Sequence, residues 1–410
     1  MNPVWKIAWR NLWRNPRRSL LTMSALAFSS VLLIFMFAWQ HGAYQAMIRS
    51  AVNMQTGPLQ ILADDYQDEP DIRKVIHDPD RLLARLDAMS SVRTATPRAE
   101  GFALVSTEDR SQGVMIIAID ADRETRITTL HQTLREGTFF GDNAPDEAVL
   151  GARLAKNLRA SLGDELVVLG QAYDGSTAAG FFRVTGIVET GQSELDRSLM
   201  FVRLPTFQDT YFMESTVHRI VVDPVNFDDL AELQTQLAAE LPAQSPALAA
   251  LGWSDLLPGL QESIELDRIS AYVMYVILLI VVTFSIANTF FMAVFERLHE
   301  FGVMRAIGTT PQKLSRMLLL ETCLLAAVGI LAGALIGIAL TYWAQVVGIP
   351  MGEAGEMMRE YGMPDRLHTR LSWLIVFTGP AFVLLVALAA SILPVLRVRR
   401  LKPVEALSTH

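Results

Sequence analysis

Long apolar stretches alternate with polar sequence along this chain of 410 residues. Four of them, residues 19–41, 269–294, 317–347 and 371–396, are long enough to cross a bilayer as helices, which takes about 20 apolar residues. Between the first and second runs lies a polar segment, 42–268, large enough for a folded domain. The pattern predicts an α-helical membrane protein with four transmembrane helices and a large α+β domain inserted between helices 1 and 2.

The inserted segment contains short runs of alternating polarity, typical of strands, and stretches with helical spacing. The predicted strands are GPLQILA, FALVST, GVMIIAID (113–120), GFFRVTGIVET (180–190) and HRIVVDP (218–224). Residues 146–170 predict a strand, a helix, a Gly-Asp turn and a strand, and residues 226–241 predict a helix with Asn226 as its N-cap. Residues 242–268 predict a connection and then a helix that leads into the second span. The elements do not alternate as βαβ units, so we expect an α+β domain of one or two lobes.

The first apolar run follows a basic segment, as a signal peptide would. It is longer than the ~7–15 apolar residues of a cleavable signal and lacks a strong cleavage site, so we interpret it as an uncleaved anchor. Within residues 1–18, Trp5, Trp9 and Trp13 share one helical face and the basic residues lie away from it. Indole rings with cations favour an amphipathic helix in contact with the lipids of the inner headgroup layer. The alternative is that this segment is only the basic flank of the anchor.

Charge orients the chain. The mean hydropathy is +0.29, with 51% hydrophobic and 19% charged residues. The inserted segment contains 35 of the 43 acidic residues but only 19 of the 35 Lys and Arg. The other basic residues cluster before the first span, between spans two and three, and in the tail 397–410; they include Arg14, Arg17, Arg297, Arg305, Lys313, Arg316, Arg397 and Arg399. Since positive loops face the cytoplasm, both termini are predicted there, and the inserted domain and the short loop 348–370 are predicted outside.

The sequence offers little catalytic chemistry. Its single cysteine, Cys323, allows no disulfide within the chain, and its seven histidines show no metal-ligand spacing. The motifs G-x-x-x-x-G-K-[ST], H-E-x-x-H and G-x-S-x-G and an EF-hand loop are all absent from the sequence. We therefore expect no enzyme activity, no metal and no bound cofactor in this chain, and no nucleic-acid partner.

Two features within the third span leave alternatives open. Gly329, Gly333 and Gly337 form a small-x-x-x-small ridge, which suits either a dimer contact or close packing inside one subunit. Glu321 is an acidic residue about one turn inside this span. Because a carboxylate is costly there, we expect it to reach the interface or to bind nearby backbone, with a structural role or a role in coupling.

The segment 295–316, between spans two and three, contains FERLHEFGVMRAIGTTPQK, which is more ordered than a turn requires. Residues 296–310 predict an amphipathic helix with acidic residues near its N-terminus, where the helix dipole favours them, and a stop at Gly-Thr-Thr-Pro. Its aromatic and aliphatic groups would then be offered to the cytoplasm, as in a docking element for a soluble partner. The alternative is a helix resting on the membrane surface.

ERLHEFGVMRAIGTTPQKLSRMLLLE closely resembles the coupling segment of the FtsX-like/MacB-type permeases of ABC transporters, a group that includes the lipoprotein-releasing LolC/LolE subunits. The resemblance extends to IAWRNLWRNPRRSLLT, VLGARLAKNLRASLGDELVV, FRVTGIVETG and LPVLRVRRLKPVEALS, and so covers most of the chain in order. It implies a permease subunit of the bacterial inner membrane, worked by a separate cytoplasmic ATPase that binds ATP and Mg²⁺. It also implies pairing with a second permease, either an identical copy or a paralogue.

In such a permease the coupling helix sits on the ATPase, and its movement passes through the second span to the outer domain. The residues expected to contact the ATPase or set the coupling geometry are Glu296, Glu300, Phe301, Gly302, Met304, Arg305 and Gly308. The implied function is export or extraction of a lipophilic cargo, such as a lipoprotein, a lipid or an amphipathic compound, with a periplasmic carrier or lipoprotein as a further partner. The alternative is an FtsX-like signalling subunit that regulates a cell-wall hydrolase without transport.

Overall fold

The computed structural model of this protein describes residues 13–14, 16–141, 144–241, 247–353, 355 and 365–399. Trp5, Trp9 and nearly all of the predicted tail 397–410 lie outside these residues. The chain divides into two compact units. The first contains residues 1–45, 264–350 and 366–410, and the second contains residues 46–263 and 351–365.

Helices occur in both units of the chain. They are α1 (Pro16–Ala51), α2 (Pro79–Asp87), α3 (Ala121–Ile127), α4 (Ala152–Leu158), α5 (Ser193–Ser198), α6 (Leu204–Tyr211), α7 (Leu230–Glu240), α8 (Trp253–Leu256), α9 (Pro258–Phe295), α10 (Leu298–Ala306), α11 (Pro311–Val347) and α12 (Trp373–Arg399). Short π and 3-10 turns occupy Val52–Thr56, Leu130–Thr133 and Phe227–Asp229.

The strands are β1 (Leu59–Ala63), β2 (Val92–Ser106), β3 (Ser111–Ile119), β4 (Leu134–Gly137), β5 (Glu147–Gly151), β6 (Glu165–Gln171), β7 (Thr177–Val188), β8 (Leu199–Arg203), β9 (Arg219–Pro224), β10 (Leu248–Gly252), β11 (Ile349–Pro350) and β12 (Arg366–Leu367). Of these, β11 and β12 form a small antiparallel pair between α11 and α12.

Within the part of the chain that the structure describes, four helices, α1, α9, α11 and α12, are long and apolar enough to cross a membrane, as predicted. Both α1 and α9 are longer than their apolar runs: α1 has 36 residues and α9 has 38. At 1.5 Å per residue each is roughly 55 Å long, whereas a bilayer core is about 30 Å thick. Three of the four begin near a proline, Pro16, Pro258 or Pro311, whose fixed φ suits the first helical turn.

The four spanning helices share an apolar cluster. It contains Met23, Leu26 and Leu33 of α1, Ile286 and Phe290 of α9, Leu325, Ala326 and Ile330 of α11, and Val383, Val386, Ala387 and Ala390 of α12. The glycine ridge of α11 packs on α1: a Cβ atom at Gly333 would lie 2.7 Å from the Cα atom of Ala27, and one at Gly329 would lie 2.8 Å from the Met23 carbonyl oxygen. Of the two roles predicted for this ridge, the structure therefore shows packing inside one subunit.

Residues 46–263 form the α+β domain between the first and second spans, as predicted. Its strands form a ten-stranded sheet in the order β10-β1-β9-β2-β3-β8-β5-β7-β4, and β6 pairs with β2 and β7. The pairs β3–β8 and β5–β7 are parallel, and the other pairs are antiparallel. A single hydrogen-bonded sheet thus runs through the domain, and the number of lobes stays a prediction.

Most of the predicted elements of this domain are confirmed, including the strand, helix and strand of 146–170. The side chain of Asn226 accepts a hydrogen bond from the Asp228 amide at 3.4 Å, as its predicted capping role requires. One interpretation is wrong: the first part of 242–268 is more than a connection, because β10 pairs antiparallel with β1, with Leu59 opposite Gly252. A five-residue run of Leu, Ala and Gly lacks the alternation and β-branching that mark a strand.

Candidate coupling site

The helix α10 lies between the second and third spans and is joined to them by short links. Only Glu296 and Arg297 separate it from α9, and the Phe301 amide donates to the Arg297 carbonyl at 3.0 Å to start the new helix. At its other end Gly308 has a φ of +99°, a conformation that glycine adopts without strain, and α11 starts at Pro311. The predicted helix 296–310 is therefore shorter at both ends, since the turn at 296–297 and the loop at 307–310 are not helical.

The inner face of α10 is anchored by Phe301, whose side chain is fully buried. It packs in a cluster with Val294, Leu314, Met317, Leu318 and Val395, and Met304 lies at the edge of this cluster. Gly302 is also buried. The expectation that Phe301 and Met304 offer their side chains to the cytoplasm is therefore corrected: the helix uses these groups to hold itself against α9, α11 and α12.

A network of ion pairs lies beside Phe301; we call its four members, Arg14, Arg297, Glu300 and Glu321, the relay. The Nη1 atom of Arg297 donates to both carboxylate oxygens of Glu321, at 2.9 and 3.0 Å, and its Nε atom donates to Glu300 at 3.2 Å. The Arg297 guanidinium also lies 5.3 Å from the centre of the Phe301 ring. Glu300 in turn pairs with Arg14, which precedes α1. Glu321 is thus neutralised by an arginine, where we expected contact with the interface or with backbone.

Neighbouring charges in the relay favour the ionised forms of Glu300 and Arg297. Partial burial alone would raise the pKa of Glu300, but the hydrogen bond and charge of Arg297 hold it below its ordinary value. Burial would lower the pKa of Arg297, yet Glu321 and Glu300 raise it above its ordinary value. The ion pair between Arg297 and Glu300 therefore persists at neutral pH.

The outer face of α10 is apolar and exposed. Ile307, just after the helix, exposes 81% of its surface and Val303, one turn earlier, exposes 38%. His299, one turn before Val303, is exposed as well. These three residues were absent from the predicted site. Their i, i+4, i+8 spacing places them along one helical face, and this spacing is the signal in the sequence that indicates the exposed face.

The remaining predicted residues occupy the margins of the site. Glu296 is exposed in the link before α10, Arg305 is half-buried in its last turn, and Gly308 is exposed at its end. Trp13 is exposed just before α1, while Trp5 and Trp9 lie outside the described residues. Whether these residues contact an ATPase or lipid stays a prediction.

At the other end of the spanning helices, hydrogen bonds tie α1 to α9. The Tyr275 hydroxyl donates to Gln40 at 2.6 Å, the Gln40 amide donates to the Tyr44 hydroxyl at 2.6 Å, and Tyr44 donates to Asp267 at 2.7 Å. The Phe37 ring meets the Tyr275 ring edge-on, with centroids 4.8 Å apart. We call this set of five residues the clasp; it fixes α1 and α9 to each other.

A second polar cluster lies in the α+β unit, beside a cleft of about 330 Å³. Arg219 pairs with Glu100 at 3.0 Å and lies over the Tyr66 ring. His218 Nδ1 accepts from the Glu100 amide at 2.9 Å, so its Nε2 atom carries the proton and donates to the Ile72 carbonyl at 3.1 Å. Burial lowers the pKa of His218. Because Arg219, Glu100 and His218 are held by an ion pair and hydrogen bonds within the domain, we assign the cluster to domain stability. Within the described residues no group of His, Cys, Asp and Glu could hold a metal.

The fold and this connector define a class of protein, a multi-pass membrane protein with four spans, a large α+β domain after the first span, and an anchored helix between the second and third. The FtsX-like permease C-terminal family model matches residues 272–403, and the MacB-like periplasmic core domain matches residues 19–240. The chain belongs to this FtsX-like/MacB-like family of ABC transporter permeases, which are inner-membrane subunits and are not enzymes themselves.

Full-length relatives agree with this assignment. The chain is 22% identical over its whole length to the lipoprotein-releasing system transmembrane protein LolE of Haemophilus influenzae, of which it covers 100%. It is 25% identical to LolC of Xylella fastidiosa, over 81% of each protein. The periplasmic region of MacB from Actinobacillus actinomycetemcomitans, 15% identical, matches 52% of this chain and 94% of that one with a TM-score of only 0.37. The family models and the full-length relatives therefore carry the assignment.

Proposed function

We propose that this chain is the permease subunit of an ABC transporter and that a separate cytoplasmic ATPase, which binds ATP and Mg²⁺, docks on α10. The proposal rests on the difference in burial between the two faces of this helix. Phe301 is buried in the chain's own apolar cluster, whereas Ile307 projects from the opposite side, almost wholly exposed. An exposed aliphatic pair next to an anchored helix suits a hydrophobic contact with a protein surface. The orientation, with α10 and both termini in the cytoplasm, follows from the basic clusters and is part of the proposal.

In the proposed mechanism, closure of the ATPase displaces α10 and the spanning helices carry the movement toward the inserted domain. Two features support mechanical transmission. The two-residue link before α10 is too short to absorb a displacement, and Phe301 ties the helix to the membrane bundle. The clasp then makes α1 follow α9. The chain itself supplies no nucleotide chemistry in this scheme.

Pairing with a second permease is supported by α9. Only 6% of its most apolar stretch is buried within the chain, against 39% for α1 and 33% for both α11 and α12. The exposed apolar surface of α9 is therefore available to a second copy or a paralogue, with lipids around the pair. The proposal therefore places α9 at the centre of a permease dimer.

For the cargo we propose a lipophilic compound, such as a lipoprotein, a lipid or an amphipathic molecule, that is extracted or exported with a periplasmic carrier as a further partner. The support is that the relatives covering most of the chain are named as subunits of a lipoprotein-releasing system. An FtsX-like subunit that only signals to a cell-wall hydrolase is the competing outcome.

Docking is tested by photo-crosslinking of the full chain in its native membrane, with p-benzoylphenylalanine placed at Ile307. The expected adduct joins this chain to a protein with a Walker A motif. A probe at the buried Phe301 and one at the outward-facing Phe284 within α9 should give no such adduct. Adducts from Ile307 with lipid alone, while an ATPase still co-purifies, would refute docking at α10.

The output is tested by depleting the chain from its host cells. Retention of lipoproteins in the inner membrane supports the transport proposal. Failure of cell separation with a normal distribution of lipoproteins supports the signalling alternative and contradicts cargo movement. The two outcomes are independent of the crosslinking result, so docking and cargo are decided separately.

A further inference from the structure

Arg297 is one of the two residues in the link between α9 and α10. Its φ of −108° and ψ of 11° lie outside the helical values of both neighbours. Its side chain extends away from this link to α11, the third spanning helix, where it meets Glu321. Side chains of two helices, α10 and α11, therefore contact one guanidinium, which itself projects from the link after α9.

The contacts of Arg297 leave its guanidinium little freedom. Glu321 accepts on one side, Glu300 accepts on another, and the Phe301 ring lies against the plane. The side chains of Arg297 and Glu321 are only 12% and 13% exposed. An ion pair so shielded from water is weakly screened, and its geometry is fixed by directional hydrogen bonds. Such a pair links the positions of the two helices that contribute it.

We propose that the Arg297–Glu321 pair is the joint through which displacement of α10 enters α11, so that the third span carries the coupling movement together with the second. Arg297 is thus a positioning residue of the coupling site. This inference rests on the proposed function, because it takes α10 to be the element that the ATPase moves.

The rest of α11 suits this role. Its buried glycines bring its backbone into contact with α1, so a displacement that enters at Glu321 also moves α1. Glu300 adds a second route to the same helix, because it bridges Arg297 and Arg14 immediately before α1. The relay therefore links the coupling helix to α11 directly and to α1 by two contacts.

Hydrogen–deuterium exchange tests the joint in the complete complex of this chain with the ATPase identified by the Ile307 crosslink. Exchange is compared between the nucleotide-free complex and the complex trapped with ATP and vanadate. In the wild type, trapping should change exchange both in α10 and in residues 311–325. In Glu321→Gln the change in α10 should remain, while the change in 311–325 should fall by about tenfold, within the range typical of allosteric coupling.

A second variant separates transmission from folding. Replacing both partners, Arg297→Met with Glu321→Met, removes the charges together, and such replacements of buried pairs are often neutral for stability. The flexible methionines cannot fix the helix positions as the ion pair does. We therefore expect the change in exchange over residues 311–325 to fall as in Glu321→Gln, while the complex with the ATPase assembles normally. Glu321→Asp should retain most of the response. Glu265→Gln, which breaks the exposed pair with Arg268 in α9, should retain all of it.

The outcomes distinguish the two levels of the proposal. A wild-type response over 311–325 in the double methionine variant would overturn the role of the joint and leave docking intact. No response of α10 in the wild type would overturn docking, and the joint with it. If Glu321→Gln fails to assemble, the double variant decides the question alone.

Discussion

Replacing Phe301 by alanine separates the two faces of α10, because it removes the inner anchor and leaves the outer surface in place. A buried aromatic residue removes about 150–250 Å² from contact with water, worth about 4–6 kcal/mol at about 25 cal/mol per Å². The alanine side chain keeps a small part of this buried area, and the substitution leaves a cavity. We therefore expect α10 to lose about 3–5 kcal/mol of local stability. The loss is local because the cluster around Phe301 lies at one end of the helix bundle.

Limited proteolysis of the purified chain measures this loss, since cleavage after Arg297 requires local opening of the joint. Because a factor of ten corresponds to 1.36 kcal/mol, a loss of about 3 kcal/mol predicts about a hundredfold faster trypsin cleavage there. The matched variant is Ile307→Ala, which should leave the cleavage rate unchanged but weaken ATPase binding about tenfold, as for an interface anchor. If Phe301→Ala is cleaved at the wild-type rate, or if Ile307→Ala opens the joint, the division of α10 into inner and outer faces is wrong.

Three further predictions concern other parts of the chain. Burial lowers the pKa of His218, so the unfolded state binds more protons and the stability of the fold falls as the pH drops below the ordinary pKa near 6.5. The variant His218→Gln should therefore reduce the difference in Tm between pH 7.5 and pH 5.5. If that difference is unchanged, the pH dependence belongs to other groups. Tyr275→Phe removes the hydroxyl that donates to Gln40, and we expect disulfide crosslinking between engineered cysteines in α1 and α9 to become less selective; crosslinking identical to wild type would show that the clasp is dispensable. Gly333→Ala places a Cβ against α1 and should reduce the yield of folded chain, whereas Gly259→Ala, with open space around it, should not.

The spans and most strands could be predicted from sequence because their signals are local. A run of about 20 apolar residues or a period of two is visible within one element. The strand β10 was missed because its conformation depends on pairing with β1, a contact between residues distant in the chain. Local propensity carries no information about that partner.

The coupling site could be located but not oriented. Charge and the Gly-Thr-Thr-Pro stop identified the segment, and Glu300 lies in the first turn of α10 as predicted. Which face of α10 turns inward depends on Val294, Leu314 and Val395, which come from three other helices. Phe301 and Ile307 are both large and apolar, so composition alone could not distinguish the anchor from the exposed contact. The same limit applies to Glu321, whose partner Arg297 is 24 residues away.

The uneven burial of the spanning helices bears on how the coupling movement can travel. A helix transmits displacement along its axis only if its sides are supported, and α9 is held by the clasp and the shared cluster although little of its apolar stretch is buried within the chain. A second permease packed on the exposed side of α9 would add to this support. The helix α11 packs on α1 through its glycines and on α12 through the shared cluster, so these three helices form a closely packed unit. The Arg297–Glu321 pair lies where α10 meets this supported unit, which is why the joint, and not the length of α9, should determine how much of the displacement is transmitted by a single chain.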